Sequence, residues 1–355
     1  VRPAPPLPPP AAVELTDAPV PPSAVLEPVI EEPVLLARVT TWTLALDDRF
    51  VYYGDASANA LRVVPKGGGP PVTIGGNAPW DIALLPRSIA WIGAPGNVVL
   101  RGRVSAEPTR GPVDVLREGG VTTALAARGD DLYLAEVDSA GGALLRMTKD
   151  GWTRLATLDA QPRALAVDDS HVYVQTSHAI ERVPRTGDKK TERVAVGVDV
   201  AHLAIDAGYV YTTARVGPMR SLVRAPKSGG ELDVVEEGVR DAPIAVFGPH
   251  AFYFDANRPA LRRVPKAGGP SEDAFVGPAL WRITALALDA SGIYLGTEAD
   301  GGGVLAAPLP REPITPRLPP RAPLPTPPLP PEVPLPPDVP PRGPEPQQEL
   351  DLQPP

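Results

Sequence analysis

The 355-residue chain contains no cysteine and only four histidines. Without cysteine it has no disulfide, no thiolate metal site and no thiol nucleophile. None of the four histidines has a metal-ligand spacing such as H-x-x-x-H. The G-x-S-x-G, P-loop and dinucleotide-binding patterns are also missing, so the sequence carries none of these signatures of hydrolase, nucleotide or dinucleotide chemistry.

Two further absences limit the partners. No basic stripe is present and the formal net charge is −8, so nothing in the chain would neutralise a nucleic-acid backbone. The same charge balance disfavours an anionic membrane surface. No apolar run approaches the ~20 residues that span a bilayer. The chain begins at Val1, which favours a removed leader and hence a periplasmic or extracellular protein.

Proline is abundant instead, and its distribution divides the chain. Of 50 prolines, eleven lie in residues 1–34 and nineteen in residues 311–355. Proline lacks an amide donor and has a fixed φ, so these segments are denied both helix and sheet. We therefore predict a disordered proline-rich arm over 1–33, a globular domain over 34–310 and a second disordered arm over 311–355. The arms serve either as stiff linkers or as ligands of a proline-recognition partner.

A short triplet with a central aromatic residue recurs seven times in the middle of the chain. The central aromatics are spaced 38 to 42 residues apart and are Tyr52, Trp91, Tyr133, Tyr173, Tyr211, Tyr253 and Tyr294. Each copy reads as an inner strand, a polar turn, the aromatic strand, a third strand and a shorter fourth strand. Four antiparallel strands per ~40 residues are typical of a β-propeller blade.

The two ends of the repeat region complement each other. The last repeat lacks a fourth strand, and an unassigned strand at residues 34–39 precedes the first repeat. Pairing them would complete a seventh blade and remove two open sheet edges. The sequence therefore predicts an all-β protein, a seven-bladed β-propeller of four-stranded antiparallel blades closed by an N-terminal strand. We expect it to be a monomer.

At the level of the repeat, the chain resembles the YWTD-like and NHL-like propellers. The resemblance rests on the strand end Ala166-Val167-Asp168, on the following Val172-Tyr173 and on a Pro-Lys-x-Gly-Gly turn after the third strand. Within this group the chain is most similar to uncharacterised exported bacterial propellers, over residues 40–310. The resemblance implies an exported repeat propeller and transfers no active-site residue.

Propellers bind ligands at one mouth of the central channel, where loops lead into the inner strands. Here these loops carry aromatic and charged side chains that suit a protein, a peptide or a carbohydrate: Trp42, Trp80, Arg163, His202, Asp241, Trp281 and Arg282. In the alternative interpretation, the tryptophans cap the blade ends as part of the core. The favoured function is a non-enzymatic, exported binding or scaffold module.

The loops after the second strands are acidic and supply candidate metal ligands, namely Asp55, Glu136, Asp255 and Glu298. If these carboxylates converge on the channel, they would bind Ca²⁺, which takes six to eight oxygen ligands. Such a site would serve a calcium-dependent lyase, lactonase or glycoside hydrolase, which is the alternative function. If they do not converge, they are solvated loop charges, and no cofactor is expected.

Overall fold

The computed structural model describes residues 33–310 except 94–97, 106, 140, 188–189, 198–201, 278–279, 281 and 299–301. Within these residues the chain forms 28 β-strands in seven four-stranded antiparallel sheets. The sheets are the blades of a seven-bladed β-propeller, so the predicted fold is confirmed. The two proline-rich arms lie outside the described residues.

The first strand, β1 (Val34–Arg38), precedes the blades, which then follow in chain order from the channel outward. Blade 1 contains β2 (Leu44–Leu46), β3 (Phe50–Asp55), β4 (Ala60–Pro65) and β5 (Val72–Gly76). Blade 2 contains β6 (Pro79–Leu85), β7 (Ser88–Gly93), β8 (Val98–Arg103) and β9 (Asp114–Arg117). Blade 3 contains β10 (Val121–Arg128), β11 (Asp131–Val137), β12 (Gly142–Thr148) and β13 (Gly151–Leu158). Blade 4 contains β14 (Pro162–Val167), β15 (His171–Thr176), β16 (Ala179–Pro184) and β17 (Glu192–Val196).

The remaining blades have the same order, and the last one uses both ends of the domain. Blade 5 contains β18 (Leu203–Ile205), β19 (Tyr209–Val216), β20 (Met219–Pro226) and β21 (Asp233–Glu237). Blade 6 contains β22 (Ala245–Phe247), β23 (His250–Phe254), β24 (Ala260–Pro265) and β25 (Glu272–Val276). Blade 7 contains β26 (Ile283–Asp289), β27 (Gly292–Thr297) and β28 (Gly303–Ala307). Strand β1 pairs antiparallel with β28 as its outermost strand, so the predicted closure is confirmed.

Apolar clusters fill the gaps between neighbouring blades, one cluster to each of the seven gaps. A single blade buries neither of its faces alone, so stacking of neighbours supplies the core. In the gap between blades 1 and 2, Tyr52 and Trp91 belong to one cluster and are both fully buried. Tyr52 therefore points from blade 1 toward blade 2, and Trp91 points from blade 2 back toward blade 1.

The predicted alignment of the repeat, which placed Trp91 at the position of Tyr52, is wrong by one residue. The inner-strand Ala45 lies opposite Tyr52, whereas the corresponding Ala83 of blade 2 lies opposite Ala90. Trp91 is therefore displaced by one residue, and a one-residue displacement moves a side chain to the other face of its sheet. The same displacement occurs in blade 6, where Phe252 occupies the position that the sequence pattern assigned to its neighbour.

Ionic clamps join blades at the end of the inner strands, where the chain turns into the second strand. In blade 5, Asp206 accepts hydrogen bonds from the turn amides of Gly208 and Tyr209 and from the Tyr211 hydroxyl, each at 2.9 Å. Lys266 of blade 6 completes the clamp with its Nζ 2.8 Å from Asp206. Three further pairs join blades in the same way: Lys66–Asp289, Arg185–Asp131 and Lys227–Asp168.

An arginine of the third strand adds a second connection to several of these gaps. Arg182 pairs with Glu192 of its own blade and donates to the Lys227 carbonyl of the next blade at 2.7 Å. Corresponding bonds run from Arg146 to Arg185, from Arg224 to Lys266 and from Arg263 to Pro310. Around blade 2 the clamp residues are replaced by Val104 and Leu85. Val104 packs against the cluster that contains Trp91, so apolar contact takes the place of the clamp there.

Candidate functional site

The seven inner strands begin around one end of the central channel, and their first residues line a cavity of about 340 Å³, which we call the channel mouth. Every blade contributes to its wall, including Trp42, Trp80, Thr123, Arg163, His202, Pro243 and Thr284. The clamps described above lie at the other end of the inner strands. A cavity of this size suits a small molecule or the tip of a peptide or glycan.

Four of these side chains stand at β-bulges. The pairing of the first and second strands slips at Trp80, Thr123, Arg163 and Thr284, in blades 2, 3, 4 and 7. A bulge takes one residue out of the ladder and re-aims its side chain. In this protein the four re-aimed side chains all line the channel mouth. In these four blades the bulge therefore places one additional side chain at the channel mouth.

Trp42 and Trp80 form an aromatic pair at this mouth. Their ring centroids are 6.1 Å apart and their planes meet at 23°, which is a stacked arrangement. Trp42 is 42% exposed and Trp80 is 59% exposed, whereas Trp91 is fully buried. The alternative interpretation, in which the tryptophans cap the blade ends as core, is therefore wrong for these two residues. Their apolar faces are open to solvent and to any ligand.

A charged group lies at the part of the mouth formed by blades 5 and 6. The Nε2 of His202 is 3.4 Å from one oxygen of Asp241, and Arg220 is 3.8 Å from the other. The hydrogen bond from His202 holds the pKa of Asp241 below its usual value; burial opposes this shift, and the charges of Arg220 and Arg163 support it. The Asp241 side chain is still 52% exposed, so its carboxylate can accept further hydrogen bonds.

The sequence analysis missed one residue of the mouth, Asp81. Its carboxylate accepts hydrogen bonds from the amides of Ile82 and Leu125, both at 2.8 Å, and so links blades 2 and 3. Burial among the inner strands raises the pKa of Asp81 to about 6, although the two amides lower it. The sequence did hold a signal, because the corresponding residues of the neighbouring blades are the small Thr43 and Ala124.

The structure brings together most of the residues predicted at the mouth. Trp42, Trp80, Arg163 and His202 line one cavity, and Asp241 joins them through His202. Arg282 is exposed but is not part of the cavity wall; its carbonyl accepts a hydrogen bond from the Glu298 amide at 3.0 Å. Trp281 lies outside the described residues.

Arginines engage three of the four acidic loop residues, two within one blade and one across the gap between blades 2 and 3. Asp55 is 3.0 Å from Arg62 and is 3% exposed. Glu136 accepts two hydrogen bonds from Arg117, both at 2.9 Å. Asp255 lies 3.4 Å from Arg258 and 3.7 Å from Arg262, and Glu298 is exposed in the loop after β27.

These contacts do not assemble a shared carboxylate site. Among the described residues, no group of three or more histidine, aspartate or glutamate side chains is disposed to hold a metal ion. Arginine guanidinium groups occupy the carboxylate oxygens of Asp55, Glu136 and Asp255 that a calcium ion would need. In this arrangement arginines occupy three of the four predicted ligands, and the calcium hypothesis stays a prediction.

Comparison with known proteins gives the fold and no family. No family model matches the chain, and no curated protein matches it. Virginiamycin B lyase from Staphylococcus aureus is 12% identical, with a TM-score of 0.62 over 78% of this chain and 97% of that one. The WD40 β-propeller domain of Doa1 is 14% identical, with a TM-score of 0.57 over 78% and 94% of the two chains. BamB from Moraxella catarrhalis is 11% identical, with a TM-score of 0.52 over 76% and 85%.

These similarities define the class of the protein as a seven-bladed β-propeller. Identities of 11–14% show the fold alone, and the more specific resemblance to YWTD-like and NHL-like propellers stays a prediction. In the part of the chain that the structure describes, no helix is long and apolar enough to cross a membrane.

Proposed function

We propose that the protein is a non-enzymatic binding module that holds a protein, peptide or carbohydrate at the channel mouth. The exposed, stacked pair of Trp42 and Trp80 is the observation that carries this proposal. Exposed aromatic pairs are uncommon on a surface that binds nothing, and they dominate binding energy where they are covered. We also propose a periplasmic or extracellular location, on the strength of the resemblance to exported propellers.

The energetics support an aromatic contact as the main source of affinity. Covering the exposed parts of both rings would bury on the order of 200 Å², worth about 5 kcal/mol before the cost of association. On the blades across the mouth from the rings, Arg163 and Asp241 supply donors and acceptors of opposite charge. A ligand with a flat apolar face and flanking polar groups would stack on the tryptophans and bond to the charged residues. Sugars and peptides have both features.

The test is a binding screen followed by mutation of the pair. A glycan array and a peptide library would be screened with the full chain, and hits would be measured by isothermal titration calorimetry. We expect Trp80→Ala to weaken binding by about 2–3 kcal/mol, which is 30-fold or more. The control is Val234→Ala, because Val234 is an exposed apolar residue of the outer strand of blade 5. Equal affinity of both variants would refute the proposal.

A lyase, lactonase or glycoside hydrolase at the same mouth is the alternative function; the sequence placed it on the acidic loops with calcium, and a second candidate for its acid is Asp81. The observation that favours it is Asp81, since a carboxyl group with a pKa of about 6 can donate a proton near neutral pH. Mass spectrometry of each bound ligand after incubation with the protein separates the two functions. Ligand recovered unchanged supports the binding module, and a cleaved or eliminated product that disappears with Asp81→Asn supports the enzyme.

A further inference from the structure

A second cavity lies on the outer part of the ring, between blades 3 and 4 and apart from the channel mouth. It has a volume of about 520 Å³. Leu155, Thr157 and Asp159 line it from the outer strand of blade 3 and the loop that follows. Glu181, Thr191 and Arg193 line it from the third and fourth strands of blade 4. We call this cavity the blade 3–4 groove.

Glu181 forms the buried part of this groove. The residue is only 6% exposed, and its carboxylate makes no hydrogen bond or ion pair with any residue that the structure describes. A carboxylate without a hydrogen-bond partner is destabilised when most of its side chain is removed from water, and the Glu181 oxygens keep only the groove as their route to solvent. A cation bound in the groove would therefore stabilise the ionised form of Glu181.

The other blades show that the acid is not required by the repeat. At the position of Glu181, the register on the second strand places Arg62, Leu100, Leu145, Val223, Arg262 and Leu305. Where that residue is charged, it has a partner: Arg62 pairs with Asp55 at 3.0 Å and Arg262 with Asp255 at 3.7 Å. Glu181 is the exception among these charged residues. Blade 4 thus carries an unpaired charge that the fold itself does not need.

The charges around Glu181 are solvated and lie at the rim. Arg193, directly across the strand pair, and Lys190 are both exposed, and Asp159 is exposed on the opposite wall. Burial raises the pKa of Glu181, the charge of Asp159 raises it further, and Arg193 lowers it. Water screens the charges at the exposed rim, so they compensate the charge of the buried Glu181 only weakly. The negative charge of Glu181 is therefore only weakly compensated by the described residues around it.

We propose that the blade 3–4 groove binds a primary ammonium or guanidinium group carried on an aliphatic stem. Glu181 is the counter-ion of this group, and Thr157 and Thr191 are polar residues of the wall. Leu155 and Ala156 supply apolar surface for the methylene stem. A lysine or arginine side chain and a free diamine share this chemistry. The proposal is independent of the ligand of the channel mouth.

Calorimetric titration of the full chain tests the proposal with three probes: 1,5-diaminopentane, N-acetyl-lysine methylamide and the neutral 1-pentanol. We expect saturable binding of a cationic probe, none of 1-pentanol, and at least tenfold weaker binding by Glu181→Gln. Binding of the diamine alone identifies a free amine as the ligand, and binding of the lysine derivative identifies a side chain. Trp80→Ala should leave this binding unchanged, which separates it from the channel mouth.

Thermal unfolding without ligand gives a second readout. Glu181→Gln keeps the shape of the side chain and removes its charge, so we expect a higher Tm than that of the parent protein. Glu237→Gln, at an exposed position of the outer strand of blade 5, is the control and should leave Tm unchanged. A lower Tm for Glu181→Gln would show that the carboxylate is a structural partner of Arg193. That result, or cation binding unaffected by the substitution, would overturn the proposal.

Discussion

The clamp between blades 5 and 6 gives the sharpest stability prediction, through the substitution Lys266→Met. Lys266 holds Asp206 at 2.8 Å, and the two side chains are only 23% and 18% exposed. Methionine keeps most of the length and apolar surface of lysine while removing the charge. The change therefore isolates the ionic part of the clamp, and it leaves the turn amides and Tyr211 in contact with Asp206.

The pKa of Asp206 sets the magnitude of the effect. Burial opposes ionisation, but Lys266, the two turn amides and Tyr211 together lower the pKa of Asp206 from 3.8 to about 2. One pKa unit corresponds to about 1.4 kcal/mol, so the ionised carboxyl contributes about 2 kcal/mol at neutral pH. Lys266 is the largest of the lowering contributions. We expect Lys266→Met to cost about 1–2 kcal/mol, between the values of exposed and buried ion pairs.

Urea unfolding and calorimetry at pH 7 measure this loss, which should lower Tm by about 2–4 °C per kcal/mol. Because the folded pKa is the lower one, the contribution is complete above pH ~4 and disappears as the pH falls through about 2. The difference between the two proteins should therefore shrink in acid.

Lys149→Met is the matched control for this measurement. Lys149 is the exposed residue at the same position of blade 3, and the acid position opposite it in blade 2 is Leu85. We expect this control to change stability by less than about 0.5 kcal/mol. If Lys266→Met and Lys149→Met have the same effect, the clamps do not stabilise the ring and the reasoning fails.

Two further predictions concern the core and the closure of the ring. Gly75→Ala should destabilise the domain by about 1–3 kcal/mol in urea unfolding, because the new Cβ would lie 2.8 Å from the buried Trp91 ring. Gly76→Ala, whose Cβ would meet nothing within 4 Å, is its control, and equal losses would contradict this explanation. A chain beginning at Thr41 should lose several kcal/mol and unfold less cooperatively in calorimetry, because it removes strand β1 with its buried Leu36. A melting curve identical to that of the parent would show that the closure contributes nothing.

The fold was predictable because a propeller repeats one simple pattern. The period of the aromatic triplet predicted seven blades, and the unmatched strands at the two ends predicted the closure, which β1 and β28 form. The alternation of apolar residues was insufficient to predict the face of the sheet from which each aromatic side chain projects. Trp91 occupies the position of Tyr53 in the repeat, one residue after that of Tyr52. Only the register on the inner strand shows this position, and with it the neighbouring blade that each aromatic ring contacts.

The channel mouth was predictable in part, for a related reason. Its position followed from topology, and Trp42, Trp80, Arg163 and His202 do line one cavity. The bulges that aim Trp80 and Arg163 leave no mark in the sequence, because the apolar pattern resumes directly after them. Glu181 was equally invisible, because burial of a charge without a partner depends on contacts between two blades.

The pairing of β1 with β28 also has a consequence for synthesis of the protein. β1 leaves the ribosome first, and its partner follows about 270 residues later. At roughly 5–20 residues per second, this interval lasts about 15–55 s. Throughout it, the backbone donors and acceptors of β1 are open to pairing with any other strand, including one from a neighbouring nascent chain. The yield of folded protein therefore depends on how fast the last blade is translated, as well as on the stability of the finished ring.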